Sequence, residues 1–191
     1  VKIETPELAN EQTNVKVDIK AKLVNALAEN KDVKVKAKIF KKGSETEVIG
    51  STELESTSLK AGAVSDISLS LMANSPALWD TENPNLYTVR VEVMQGEEVI
   101  DTYDSDYGFR WFSADKDKGT YLNGKPVKLK GVCMHHDQGA LGAAAYKSAT
   151  ERQVEILQNM GCNSIRVTHN PASQVLIDIC NEKGILLVEE I

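Results

Sequence analysis

The 191-residue sequence lacks the features that mark several large classes of protein. No apolar run approaches the roughly 18 residues that a membrane-spanning helix requires, so we expect no membrane partner. The 22 basic residues are scattered singly and the net charge is −6, which argues against a nucleic-acid partner. Three Cys form an odd count, and this excludes a disulfide-stapled miniprotein.

Motifs for cofactors and metals are missing as well. The sequence contains no phosphate-binding loop, no dinucleotide fingerprint and no Ser-His-Asp arrangement. Cys133 and His135 lie two residues apart, with Cys162 and His169 further on, and this spacing matches no zinc site. Cys162 and Cys180 are interpreted as small buried hydrophobic residues. We therefore expect no metal and no cofactor in this chain.

The first half of the chain has the alternating pattern of antiparallel strands. Apolar residues occupy every second position, with polar residues between them, over residues 15–21, 33–39, 67–71 and 87–93. A period of two places one face of each strand on a core and the other, rich in Lys, in water. Several short strands at this spacing predict an immunoglobulin-like β-sandwich, which we assign to residues 1–110.

After about residue 113 the pattern changes to one of alternating strands and helices. Asn123-Gly124 predicts a hairpin turn, and a strand is expected to follow over residues 127–132. Ser148-Ala149-Thr150-Glu151 fits a capping box at the start of a helix. That helix would carry one apolar face and end at a glycine: Val154, Ile156, Leu157, Met160 and Gly161.

The pattern continues with a second strand over residues 163–168. Asn170-Pro171 predicts the N-cap and first position of a second helix. The buried stripe and end of that helix would be Val175, Leu176, Ile179, Cys180 and Gly184. The continuous apolar run over residues 185–188 is typical of a strand covered on both faces in a parallel sheet. Residues 111–191 therefore have the order βαβαβ.

Six groups of residues resemble one family when they are taken in order. They are Leu78-Trp79-Asp80 with Glu82-Asn83-Pro84-Asn85-Leu86-Tyr87, Tyr107-Gly108-Phe109-Arg110, Leu122-Asn123-Gly124-Lys125-Pro126, Leu129-Lys130-Gly131-Val132, His135-His136-Asp137 with residues 139–144, and Met160-Gly161-Cys162-Asn163 with Ile165-Arg166 and Thr168-His169-Asn170-Pro171. Together they resemble glycoside hydrolase family 2, the β-galactosidase and β-glucuronidase family. The resemblance implies an immunoglobulin-like β-sandwich followed by a (β/α)8 TIM barrel, of which we expect only the first three strands here, since a full barrel needs about 250 residues.

The resemblance also implies a retaining exo-glycosidase that hydrolyses terminal β-linked sugars, with β-galactosides as the first expectation. β-Glucuronides and β-mannosides stay open within the same class. The family's two catalytic Glu come from the fourth and seventh barrel strands, beyond Ile191, and its magnesium ligands come from later loops. We therefore expect this chain to be inactive by itself. We also expect it to be a fragment of a longer protein, because Val1 is not an initiator Met and no signal sequence follows it. The compartment cannot be read from the sequence, although glycan processing would suit a periplasmic or secreted parent.

Polar side chains that follow the predicted strands form the candidate sugar-binding set. In a barrel, the loops after the strands build the active-site rim. The resemblance implies substrate-binding roles for His135, His136, Asp137, Arg166, His169, Asn170 and Glu190. Glu190 and its neighbour Glu189 should point to opposite sides of the sheet, with Glu190 facing the barrel interior.

Each of these residues also has a purely structural interpretation. His135 and His136 could be polar loop residues, and Arg166 a buried ion-pair partner. Asp137 could cap a turn, and Asn170 could serve only as an N-cap.

A second class of function is a non-catalytic, immunoglobulin-like scaffold or carbohydrate-associated module attached to an unrelated α/β segment. The concentration of His and Arg at the predicted rim favours the enzyme over this alternative. The run over residues 185–188 would leave an open strand edge. We expect a partner chain or a rearranged helix to cover that edge.

Overall fold

The computed structural model describes residues 1–190, apart from the side chain of Glu55. The chain forms two compact units, the first made of Val1–Ala77 and Leu86–Phe109. Leu78–Asn85 and the chain from Arg110 onward make the second unit. The domain boundary that the sequence predicts after residue 110 stays a prediction.

The first unit is a β-sandwich of two antiparallel sheets. Its strands are β1 (Lys2–Glu4), β2 (Asn14–Val24), β3 (Lys31–Lys41), β4 (Val48–Leu59), β5 (Val64–Asn74), β6 (Tyr87–Gln95) and β7 (Glu98–Tyr107). One sheet has the order β1-β2-β5 and the other β4-β3-β6-β7. This arrangement confirms the sandwich that the sequence predicts.

Alternating burial explains why these segments form strands. In β2, Val17 and Ile19 are fully buried, while Lys16 and Lys20 on either side of them are exposed and Asp18 between them is half-buried. β3, β5 and β6 repeat the pattern, so the predicted inward faces are confirmed. β7 departs from the pattern: it lies at the sheet edge and is exposed along nearly its whole length, so no periodic signal marks it.

The second unit begins with a small antiparallel sheet of the order β10-β9-β8. It contains β8 (Phe112–Asp115), β9 (Gly119–Leu122) and β10 (Lys125–Pro126). Asn123 and Gly124 connect β9 to β10 with φ of 52° and 74°. Both residues are in the left-handed region that a type I′ hairpin turn requires, which confirms the predicted turn.

A parallel sheet with two crossover helices follows this hairpin. The elements are β11 (Gly131–Met134), α1 (Lys147–Asn159), β12 (Ser164–Val167), α2 (Gln174–Lys183) and β13 (Leu186–Val188). β11 and β13 both pair with β12 in parallel, which confirms the βαβαβ order. One face of the sheet packs on both helices through a buried apolar cluster: Val154, Ile165, Val167, Leu176, Ile179, Cys180 and Ile185. No helix among residues 1–190 is both long and apolar enough to cross a membrane.

One strand boundary in this part differs from the sequence prediction. The strand expected over residues 127–132 is β11, which begins only at Gly131. The side chain of Asn163 binds the preceding segment instead, because its Oδ1 accepts the N–H of Lys130 at 2.8 Å and its Nδ2 donates to the carbonyl of Lys128 at 3.0 Å. The Lys130 carbonyl also accepts the backbone N–H of Asn163 at 2.8 Å, and the paired ladder starts at Gly131 and Ser164.

The predicted helix starts were wrong. Helix α1 begins at Lys147, with Tyr146 as N-cap and no side-chain capping bond, so Ser148 and Glu151 form no capping box. Helix α2 begins at Gln174, where the Ser173 hydroxyl accepts the N–H of Leu176 at 3.3 Å, so Asn170 is not the N-cap.

The predicted apolar faces are only partly buried. Val154 is buried in α1, but Ile156 is 44% exposed and Met160 is 69% exposed. At the end of β13, Val188 is 42% exposed, so that strand is not covered on both faces along its whole length.

The segment 78–85 is anchored within the second unit by Trp79. This side chain is 1% exposed, and its indole N–H donates to the carbonyl of Asn181 at the end of α2 at 2.7 Å. The guanidinium of Arg110 lies 4.3 Å from the Trp79 ring centroid, a cation–π contact. Asn123 donates to the Trp79 carbonyl at 3.0 Å. Trp79 therefore ties this segment to the hairpin and to α2.

Candidate functional site

The candidate site lies at the carboxyl ends of β11, β12 and β13. Because these strands are parallel and adjacent, the residues that follow them emerge at the same edge of the sheet. His135 follows β11, His169 follows β12 and Glu190 follows β13. Arg166 belongs to β12 itself, and its side chain lies on the sheet face opposite the buried helical layer.

Glu190 is the centre of the contacts at this edge. Its Oε1 accepts a hydrogen bond from a terminal nitrogen of Arg166. Its Oε2 accepts the backbone N–H of His169 at 2.8 Å and lies 3.3 Å from Nδ1 of the His169 ring. The bond from His169 and then the bond from Arg166 lower the pKa of Glu190 below its usual value, against a smaller opposing effect of burial. The carboxylate is therefore ionised at neutral pH.

His135 completes the group from the end of β11. Its ring centroid lies 5.5 Å from that of His169, with an angle of 51° between the planes. We call His135, Arg166, His169 and Glu190 the rim cluster. Its donors are open to solvent, since the side chains of Arg166 and His169 are 53% and 76% exposed.

The contacts of Arg166 and Glu189 bear on what the sequence predicted for these two residues. Arg166 does form an ion pair, with Glu190, but it is half exposed, so its interpretation as a buried partner was wrong. Glu189 does not join the rim cluster, because its Oε1 accepts the N–H of Ala172 at 3.1 Å, ahead of α2. The two neighbouring carboxylates thus bind different residues of the loop between β12 and α2.

The other candidate residues form hydrogen bonds within their own loops. Nε2 of His136 lies 2.8 Å from the carbonyl of Ala143. Oδ1 of Asp137 accepts the N–H of Gly139 at 2.9 Å, which is the turn-capping contact considered as its alternative. Nδ2 of Asn170 donates to the carbonyl of Pro171 at 2.8 Å. The substrate-binding roles of these three residues stay predictions.

The structure adds two residues that the sequence analysis did not place at the site. Cys133 is exposed and pairs in register with Arg166, and it is a second cause, after Glu190, of the raised pKa of Arg166. Gln138 fastens the loop after β11 to α1, because its Nε2 donates to the buried hydroxyl of Thr150 at 2.7 Å. Strand periodicity could have indicated Cys133, since it lies two residues before His135; the sequence carries no comparable signal for Gln138.

The described residues offer no metal centre. Within residues 1–190, no group of three or more His, Cys, Asp or Glu side chains is arranged to hold a metal ion. The magnesium that the family resemblance implies for a longer protein therefore finds no ligand set among these residues.

Comparisons with known proteins match both parts of the chain. The family model Glycosyl hydrolases family 2 matches residues 1–110, and the model Glycosyl hydrolases family 2, TIM barrel domain matches residues 114–191. The beta-galactosidase BoGH2A of Bacteroides ovatus is 48% identical over 120 residues, which is 63% of this chain and 14% of that protein. A beta-glucuronidase of Bacteroides fragilis is 35% identical over 140 residues, 73% of this chain and 20% of that protein.

A solved structure of the same family also superposes on this chain. The glycosyl hydrolase family 2 member from Bacteroides cellulosilyticus superposes with a TM-score of 0.89 at 32% identity, over 98% of this chain and 25% of that one. The sequence thus spans a quarter or less of the length of the proteins that it matches here.

Proposed function

The chain belongs to glycosyl hydrolases family 2, and on this premise we propose that it is part of a retaining exo-glycosidase acting on terminal β-linked sugars, with β-galactosides as the first substrate class. The observation that carries the proposal is the rim cluster at the carboxyl ends of three parallel strands. Retaining glycosidases stabilise an oxocarbenium-like transition state between two carboxyl groups. The contribution of this chain would be to hold the sugar and one of those carboxylates.

The donors of the rim cluster suit this task. Arg166 and His169 are exposed enough to meet a ligand, and both are already oriented by Glu190. Hydrogen-bond donors that are fixed before the reaction need no reorganisation in the transition state, and this makes them effective. We propose that Arg166 and His169 bind sugar hydroxyls and support the nucleophilic carboxylate, while His135 contacts the sugar from β11.

The charge of the cluster favours an uncharged sugar over a uronic acid. Within the described rim, the permanent cation is Arg166, and Glu190 already neutralises it. A glucuronide carboxylate is bound best by an additional unpaired cation, which this part of the rim does not supply, whereas a galactoside needs only polar donors and acceptors. The higher identity to BoGH2A than to the B. fragilis beta-glucuronidase points in the same direction. β-Glucuronidase and β-mannosidase are the alternatives within the class.

We propose further that the chain by itself has no glycosidase activity. The family pattern supplies both catalytic Glu, and the magnesium ligands of some members, from later parts of the barrel. In the isolated chain, β13 pairs only with β12 among the described residues, and its other edge offers unpaired backbone groups. A partner chain or a displaced helix would cover that edge. A clean monomer at high concentration in light scattering, with no helix displaced onto the edge, would contradict this.

The test is an assay of the longer protein encoded by the parent gene against chromogenic β-galactosides, β-glucuronides and β-mannosides. We expect kcat/KM to be highest for the β-galactoside. Arg166→Met should lower it by about 10²–10³-fold, the typical cost of removing one preorganised donor. Arg152→Met, on an exposed position of α1, is the matched control. No turnover of any glycoside by the longer protein would instead support a non-catalytic module.

A further inference from the structure

The backbone of His169 has an unusual conformation at the centre of the rim cluster. Its φ is 70°, in the left-handed region that only a few per cent of non-Gly residues adopt, with Asn, Asp and His more frequent there than other residues. Such a conformation persists only where the surroundings determine it, and it is often found at functional sites. The contacts that hold His169 in this position therefore also determine the direction of its imidazole.

Glu190 supplies those contacts from the neighbouring strand. Oε2 accepts the His169 N–H at 2.8 Å and faces Nδ1 of the same ring at 3.3 Å. One carboxylate oxygen thus fixes both the backbone and the ring of His169. The ring in turn lies beside that of His135, so its orientation also affects the group that follows β11.

The second oxygen of Glu190 is also occupied. Oε1 accepts from Arg166, whose position in register with Cys133 and Val188 is set by the parallel ladder. A carboxylate has about four acceptor positions, and here three polar groups of the protein already lie against it. The charged and titratable groups that face Glu190 are Arg166 and His169, with Cys133 beside Arg166.

We propose that Glu190 is a positioning residue: it holds His169 and Arg166 in their functional orientations and does not itself bind the sugar. This replaces the expectation that Glu190 is a substrate ligand, and its functional part rests on the proposed glycosidase role. The neighbouring Glu189 has the same chemistry but serves Ala172 instead, and so it provides a matched control.

The structural part is tested in the 191-residue chain by NMR. The amide resonance of His169 should titrate with the Glu190 carboxyl group, with an inflection below pH 4.5, and its hydrogen exchange should be slow at neutral pH. Glu190→Gln should abolish the inflection and accelerate exchange, whereas Glu189→Gln should leave both as in the wild type. An His169 amide that does not titrate in the wild type, or that titrates equally in Glu190→Gln, would overturn the proposal.

The functional part is tested by kinetics of the longer protein. If Glu190 acts through His169 and Arg166, Glu190→Gln should lower kcat by up to about 10²-fold with little change in KM, since misplacing a catalytic environment by about 1 Å has that effect. A rise in KM with unchanged kcat would mean that Glu190 binds the sugar directly, and would refute the positioning role. If the longer protein hydrolyses no glycoside, the proposed function fails, while the NMR experiment still decides whether Glu190 holds His169.

Discussion

Gly184 follows α2 and lies close to the backbone of Thr81 in the segment 78–85. Its substitution therefore tests whether this segment packs against the end of α2. The residue follows α2 with φ of 73°, and its N–H donates to the carbonyl of Cys180. A Cβ at this position would lie 2.6 Å from the carbonyl oxygen of Thr81 and 3.0 Å from the carbonyl carbon. Gly161 follows α1 with φ of 88°, but a Cβ there would meet no atom within 4 Å. The two glycines therefore share the backbone strain and differ in the contact with Thr81.

The expected difference in stability between Gly184→Ala and Gly161→Ala follows from these contacts. Alanine in the left-handed region costs about 1–2 kcal/mol, and this applies equally to Gly161→Ala and Gly184→Ala. The overlap with the Thr81 backbone adds a cost of overpacking, about 1–3 kcal/mol. We therefore expect Gly184→Ala to lower the free energy of unfolding by about 2–5 kcal/mol in total. Gly161→Ala should lower it by only the first amount.

Urea unfolding followed by tryptophan fluorescence measures this difference. Trp79 and Trp111 are the two Trp of the chain and both belong to the second unit, so the signal reports that unit. With a slope of about 2 kcal/mol per M, an extra 2 kcal/mol lowers the urea midpoint by about 1 M. Equal midpoints for Gly184→Ala and Gly161→Ala would show that the segment 78–85 does not pack against Gly184, and would refute the reasoning.

Three further predictions concern buried and charged groups of the second unit. Trp79→Phe removes the indole donor to the Asn181 carbonyl and should lower the free energy of unfolding by about 1–3 kcal/mol in urea, now followed by the fluorescence of Trp111; an unchanged urea midpoint would contradict this bond. Burial raises the pKa of Cys180 to about 12, so iodoacetamide at pH 8 should modify the exposed Cys133 and spare Cys180. Peptide mass mapping would measure the labelling, and equal labelling of the two Cys in the folded chain would contradict this prediction. Because the pKa of Glu190 is lowered from 4.5, its ionised form stabilises the fold above that pH, and this contribution is lost as the pH falls through the folded-state value. The difference in urea midpoint between wild type and Glu190→Gln should therefore shrink from pH 6 to pH 3, and a difference that is constant with pH would exclude the linkage.

Local patterns in the sequence predicted most elements of the fold. The period of two at Val15, Val17 and Ile19 identified β2, and the same period identified β3, β5 and β6. The Asn123-Gly124 turn was also correct, because two successive left-handed residues leave few alternatives. These features depend on backbone geometry over a few residues, which the sequence expresses directly.

Helix starts were less predictable because several residues near each start could serve as the N-cap. Ser148 and Asn170 both have side chains that commonly cap helices, yet Tyr146 and Ser173 occupy the N-cap positions. The positions of the helices are set by how their apolar residues reach the sheet, and a capping bond of about 1 kcal/mol does not override that packing.

The sequence by itself determined the sandwich, the βαβαβ order and the set of polar residues that follow the strands. Only the tertiary structure decided which of those residues meet. Glu190 is separated by 21 residues from His169 and by 24 from Arg166, and the parallel register of β12 and β13 brings them into contact. Asp137 and Asn170 follow strands in the same way but bond within their own loops. Periodicity is a property of neighbouring residues, whereas a site depends on register and side-chain direction across strands, which are established only when the sheet forms.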